Sequence, residues 1–173
     1  MEPALFEQMA MPLFDQLYNH AHWLTGNRSD AEDLVQETYA KALKGFRSFA
    51  AGTNLRAWMY RILRNTFLTS RAGLAAQKTD WLDEDDEAAE SLPAPTATPE
   101  HQLLAAENRQ QLMDALASLA VRDREILLFC EVEEMSYREI GQVLDVPLGT
   151  VMSRLSRARR HLRQALERRN HGV

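Results

Sequence analysis

The stretch from Ser136 to Leu166 carries the residues with the clearest chemical use. Ser136 and Glu139 form a capping-box pair that opens a short helix through Ile140, Val143 and Leu144. Asp145-Val146-Pro147 breaks it, and a second apolar stripe follows at Val151, Leu155, Ala158 and Leu162. Two helices joined by a break of about three residues read as a helix-turn-helix, whose second helix enters a DNA major groove. At about 100° per residue, the face opposite Leu162 carries Ser153, Ser156, Arg157 and Arg160, with Arg154, Arg159 and Arg163 towards its sides. Arginines and small hydroxyl residues bond phosphates and guanine edges.

A second group lies upstream. The loop Gly45 to Thr53 holds Phe46 and Phe49 among small residues, and Arg61, Arg64 and Asn65 follow on a helical stripe. Aromatic faces hold unstacked bases, and arginines hold their phosphates. A third group is the polar face of the segment 30–44, with Asp33, Gln36, Glu37 and Lys44 opposite its apolar stripe. Taken one at a time, each of these faces is also what an ordinary solvated helix presents. Conventional catalysis has no foothold. His20 and His22, two apart on one helix, point to different sides and read as ordinary surface or partly packed histidines. Cys130 lies near Ile126 and Phe129 and reads as core. With no glycine-rich phosphate loop and no nucleophile motif, the chain is not expected to be an enzyme, nor to need a metal or cofactor.

The elements that must position these groups are helices. Phe6, Met9, Leu13 and Leu17 make one stripe; Ala31, Leu34, Val35, Thr38, Tyr39, Ala42 and Leu43 make another behind a capping-box pair at Ser29 and Glu32. Leu55, Trp58, Met59, Ile62, Leu63 and Phe67 give a third, with Trp58 and Phe67 read as core. Leu103, Ala106, Met113, Leu116 and Leu119 suggest a fourth, and Ile126, Leu127, Phe129 and Val132 a fifth. No alternating strand pattern competes.

The charge is divided along the chain. The net charge of −5 hides a basic block at 41–78 with eight bases and no acid, and a second at 136–173 with eight arginines against three acids. Between them, residues 79–107 carry nine acids and no base. Two basic blocks around an acidic one point to phosphate contact at two separate places. The acidic run, with Pro93, Pro95 and Pro99, buries little and repels itself, as a tether does. The expected architecture is therefore all-α, with small helical domains at 1–78 and 99–173 joined by an acidic, proline-containing linker at 79–98. One cysteine cannot make an internal disulfide, which fits a reducing cytoplasm. No apolar run reaches the roughly 18–20 residues of a membrane span, and Met1-Glu2-Pro3 opens no readable signal peptide.

Three segments carry a family resemblance. SYREIGQVLDVPLGTVMSRLSRARRHL (136–162) resembles the promoter-reading domain of bacterial sigma factors of the extracytoplasmic-function group. DAEDLVQETYAKAL (30–43) resembles their polymerase-binding helix, and NLRAWMYRILRNTF (54–67) their helix for the −10 element. The order and spacing match, and the short linker separates the chain from the larger housekeeping type. Asp145 and Glu134 stand where the family commonly has glycine, Met152 at a position often basic, and Ala72 where a second basic residue often follows Arg71.

The resemblance implies a chain that joins core RNA polymerase and directs it to promoter DNA in the cytoplasm, with an anti-sigma factor as an expected partner. It implies that Asp33, Gln36 and Glu37 contact a basic coiled-coil of the polymerase largest subunit. Phe49 and Asn65 would line a pocket for a flipped −10 base, with Arg61 and Arg64 near the DNA backbone. Thr150, Ser153, Arg154, Ser156, Arg157 and Arg160 would meet the −35 element, and the acidic linker would thread the polymerase cleft. Two rivals differ in kind. A stand-alone helix-turn-helix regulator binding operators leaves the N-terminal half unexplained. A polymerase-binding scaffold that does not read DNA leaves the arginine-rich helix unexplained.

Overall fold

The computed structural model describes residues 2–50, 52–74 and 102–171, and every regular element among them is helical. The linker expected at 79–98 lies outside the described residues, as do the side chains of Leu103 and Ala106. The N-terminal half holds α1 (Glu2–Ala10), a 3-10 turn over Met11–Leu13, α2 (Phe14–Thr25), α3 (Arg28–Gly45) and α4 (Leu55–Leu74). The C-terminal half holds α5 (Gln102–Ser118), α6 (Val121–Leu127), α7 (Tyr137–Leu144) and α8 (Leu148–His171).

Local chemistry sets these boundaries. Gly26, at φ 78°, ends α2 in the left-handed region, where a glycine has no steric penalty. The chain then re-enters helix at once, so α3 is capped by Asn27 rather than by the Ser29–Glu32 pair. Asn27 Oδ1 accepts from Asp30 N at 2.8 Å, and Asn27 Nδ2 donates to Asp30 Oδ2 at 2.6 Å. Ser29 is already inside the first turn.

α3 packs between α2 and α4, and the apolar stripes read from the sequence meet there: Leu17, Ala21 and Leu24 with Ala31, Leu34, Val35, Met59 and Leu63. Leu43 and Met9, also in those stripes, are exposed. Trp58 is half-buried and Phe67 buried. In the other half, α8 lies against α5, α6 and α7 and buries Val151, Leu155, Ala158 and Leu162 against Leu116, Ile126, Ile140 and Val143.

The two halves also meet. α4 packs on α7 and α2 on α6. The shape of this seam depends on a single π turn at Leu128–Val132, where Glu133 N donates to Leu128 O at 2.9 Å. Phe129 and Glu133 are both buried towards the N-terminal half. His20 stacks on Phe129 with ring centroids 4.6 Å apart, and Tyr60 meets both rings edge-on at 5.2 and 5.8 Å.

Candidate nucleic-acid and polymerase interfaces

The helix-turn-helix forms as its residues dictate. Ser136 caps α7 by accepting from Glu139 N at 3.1 Å. Asp145 ends α7 at φ 56°, and Glu134 before it sits at φ 51°, so both positions where the resemblance expects glycine do adopt the left-handed conformation. Gly141 is required on other grounds: a Cβ there would lie 3.0 Å from Val146 O, inside the turn. Pro147 O accepts from Thr150 N and Val151 N at 3.0 and 3.1 Å, which starts α8.

Along α8, Leu148, Gly149, Met152 and Ser153 are exposed, while Thr150, Arg154, Ser156 and Arg160 are half-buried. Arg157 departs from its expected place on the outer face and is only 9% exposed. The reason is that α5, α6 and α7 all pack on α8, so by that turn its neighbours cover most of the circumference. Two ties between α8 and the preceding elements were not readable in the sequence. His161 Nδ1 lies 2.5 Å from Asp123 Oδ2 on α6, and Arg159 Nη2 lies 2.8 Å from Glu131 Oε1 in the π turn. Arg159 also approaches Cys130 Sγ at 3.6 Å; Cys130 is half-buried rather than a full core residue, and burial raises its pKa.

In the N-terminal half, the aromatic loop folds into a stack. Phe46 and Phe49 lie face to face at 6.0 Å, and Phe49 tilts onto Trp58 at 5.1 Å. Asn65 is exposed further along α4. Arg61 and Arg64 lie on the same helix but reach the other half of the molecule. Arg61 Nη2 is 3.8 Å from Asp145 Oδ2, and Arg64 Nε is 2.5 Å from Glu125 Oε1. On α3, by contrast, Asp33, Gln36 and Glu37 are all exposed, and Glu37 pairs with Lys41 of its own helix, at 3.0 Å.

The seam contains the titratable groups with the largest shifts. His20, expected at the surface or partly packed, is 1% exposed, and burial lowers its pKa to about 3, so it is neutral. Burial pushes Glu125 up to about 7 despite the adjacent Arg64, and raises Glu133 likewise against Arg56. Arg124 crosses the seam. It donates to Leu24 O at 2.9 Å and to Leu119 O at 3.2 Å, satisfying carbonyls at the ends of α2 and α5 with a charge of the favourable sign. Among the described residues, no cluster of three or more His, Cys, Asp and Glu could hold a metal ion, and no helix is long and apolar enough to cross a membrane.

Known proteins resemble both halves of the chain. Residues 10–75 match the family model for Sigma-70 region 2, and residues 109–162 the model for Sigma-70, region 4. The ECF RNA polymerase sigma factor SigE of Mycolicibacterium smegmatis is 36% identical over 168 residues, covering 92% of this chain and 64% of that protein. The ECF RNA polymerase sigma-E factor of Haemophilus influenzae is 32% identical over 149 residues, covering 82% of this chain and 77% of that one. Among solved structures, the sigma factor RpoE of Bartonella quintana, in complex with the anti-sigma factor NepR, matches with a TM-score of 0.69 at 30% identity. That match covers 94% of this chain and 96% of the other. A helix-turn-helix half and an aromatic-loop half on one chain thus define a two-domain transcription initiation factor. The chain belongs to the extracytoplasmic-function group of the sigma-70 family.

Proposed function

We propose that this chain joins core RNA polymerase in the cytoplasm and directs it to promoters with defined −35 and −10 elements, opening the latter, without catalysing a reaction itself. The exposed acidic face of α3 is the polymerase contact, through Asp33, Gln36 and Glu37. Phe49, half-buried between Phe46 and Trp58, and exposed Asn65 take an unpaired −10 base, while Arg61 and Arg64 hold the strand. Thr150, Ser153, Arg154, Ser156 and Arg160 meet the −35 element; Arg157, at 9% exposure, joins them only if its side chain moves. An anti-sigma factor is a natural partner, because the solved RpoE neighbour was crystallised with one.

The observation that carries this reading is the coexistence of two separate DNA-suited surfaces, the aromatic stack where the loop after α3 meets α4 and the turn into α8. An operator-binding regulator needs only the second, and a scaffold that ignores DNA needs neither. The test is transcription with purified core polymerase on a promoter library. Enrichment of paired −35 and −10 motifs supports the reading. Tight operator binding without polymerase, or polymerase binding with no motif enriched, would sink it.

A further inference from the structure

In the folded chain Arg56, Arg61 and Arg64 of α4 already face carboxylates of the C-terminal half. Arg64 sits on Glu125, whose side chain is 2% exposed. Arg56 lies 3.5 Å from the Glu133 carboxylate, donates to the Glu133 carbonyl and reaches Glu139 at 4.0 Å. Arg61 faces Asp145, and Asn54 Nδ2 donates to Glu139 Oε2 at 3.2 Å. Four carboxylates thus run along α4 in the order Glu139, Glu133, Asp145 and Glu125, against Asn54, Arg56, Arg61 and Arg64. A row of carboxyl groups facing arginines on successive turns of a helix offers the oxygen acceptors that a nucleic-acid strand would. The apolar part of the seam, Phe129 stacked on His20, fixes the register of the two halves.

We propose that this carboxylate row is a built-in clamp that takes the place of promoter phosphates on α4, so that in the chain alone Arg56 and Arg64 are held by carboxylates rather than presented to DNA. Resting on the proposed promoter-reading role of α4, the clamp must open before Arg64 can reach DNA. Asp145 serves twice: it ends α7 and engages Arg61, so the turn that positions the −35 helix also covers the −10 helix.

The test uses the full chain with Cys130→Ala and spin labels at Ser29→Cys and Glu167→Cys, both exposed. Pulsed dipolar spectroscopy should give one narrow distance in this parent. Glu125→Gln with Glu139→Gln should lengthen and broaden it, and should raise affinity for a fluorescent oligothymidylate about tenfold, with a steeper salt dependence. Because Glu125 is buried, a second pair, Asn54→Asp with Arg61→Asp, alters only the exposed edge of the seam and should open it by repulsion from Glu139 and Asp145. Circular dichroism confirms that each variant is folded. A broad distance in the parent, or an unchanged narrow one in both folded pairs, overturns the clamp. Transcription with core polymerase is read in parallel on the parent. Its failure overturns the proposed function, whereas normal transcription with unmoved distances overturns the clamp alone.

Discussion

Helices α3 and α4 pack against each other in the same half of the molecule, yet their polar faces have opposite fates. On α3, Asp33, Gln36 and Glu37 stand in solvent, and the ion pairs Arg28 with Glu32 and Glu37 with Lys41 stay within the helix. On α4, Arg56, Arg61 and Arg64 are each engaged by carboxylates from a distant part of the chain. The exposed pairs of α3 are individually weak and screened, so a protein partner displaces them at little cost. The Arg64–Glu125 pair is largely out of water, and separating it without a replacement anion is expensive. Under the proposed roles this gives an order of events: the α3 face is open in the free chain, and the α4 arginines are released only when the seam rearranges.

The largest effect that would sharpen this contrast is expected at the aromatic stack, which lies outside the carboxylate row. Replacing Phe49 with alanine should spare polymerase binding and slow open-complex formation, since stacking on an aromatic contributes about 1–3 kcal/mol per base. A premelted bubble template should rescue it, and normal opening of a linear promoter would move the base pocket elsewhere. A comparable effect belongs to α8. Arg160→Ala should relax preference at particular −35 positions by about 1–3 kcal/mol. Arg157→Ala, at a buried position, should instead lower thermal stability with little change in preference. Selection against scrambled −35 sequences, beside a melting curve, separates the two.

Next is the α3 face itself. Asp33→Lys with Glu37→Lys reverses two exposed charges at about 1 kcal/mol each, so affinity for core polymerase should fall about thirtyfold with helicity intact. Equal affinity would show that the open face is only a solvated one.

The seam should also show in the pH dependence of stability. Burial holds His20 neutral, with its pKa lowered from 6.5 to about 3, so its contribution is present above pH 6.5 and is lost as the pH falls below it. Glu125 has the opposite sign. Raised from 4.5 to about 7, it takes up a proton in the folded state alone across that window, so acidification stabilises the fold. Glu133 is shifted in the same direction. The parent should therefore lose little stability between pH 7.5 and 5.5, whereas Glu125→Gln should lose roughly 1–2 kcal/mol more. Identical losses in denaturant titrations at both pH values would contradict the burial of Glu125.

The smallest effect concerns the two left-handed residues. Glu134→Gly should stabilise the chain by about 1 kcal/mol, because a glutamate at φ 51° is strained. Asp145→Gly should gain less, since aspartate tolerates that conformation better and the change removes the Arg61 contact. Melting temperatures order the two.

Much of this could be read from residues close together in the sequence. The Ser136 cap, the break at Asp145 and the stripe through Val151, Leu155 and Leu162 are local signals, and each forms as its spacing requires. The exposed positions of Asp33, Gln36 and Glu37 followed from the period of their own helix. What could not be read is the seam. His20 meets Phe129 and Arg124 meets Leu24 about 100 residues away along the chain, and no periodicity on either segment encodes the pairing. For the same reason Arg157 was assigned to solvent: a helical wheel counts one apolar stripe but not three neighbouring helices. The N-cap of α3 shifted from Ser29 to Asn27 because a single left-handed glycine, Gly26, decides where the chain turns.

The most direct test of the central contrast is amide hydrogen exchange on the free chain and on the same chain bound to core polymerase. On binding, the segment 33–37 of α3 should become more protected, while 125–133, with its π turn, should exchange faster as the seam opens. Protection of 125–133 that is already low in the free chain, or that rises together with 33–37, would contradict the account.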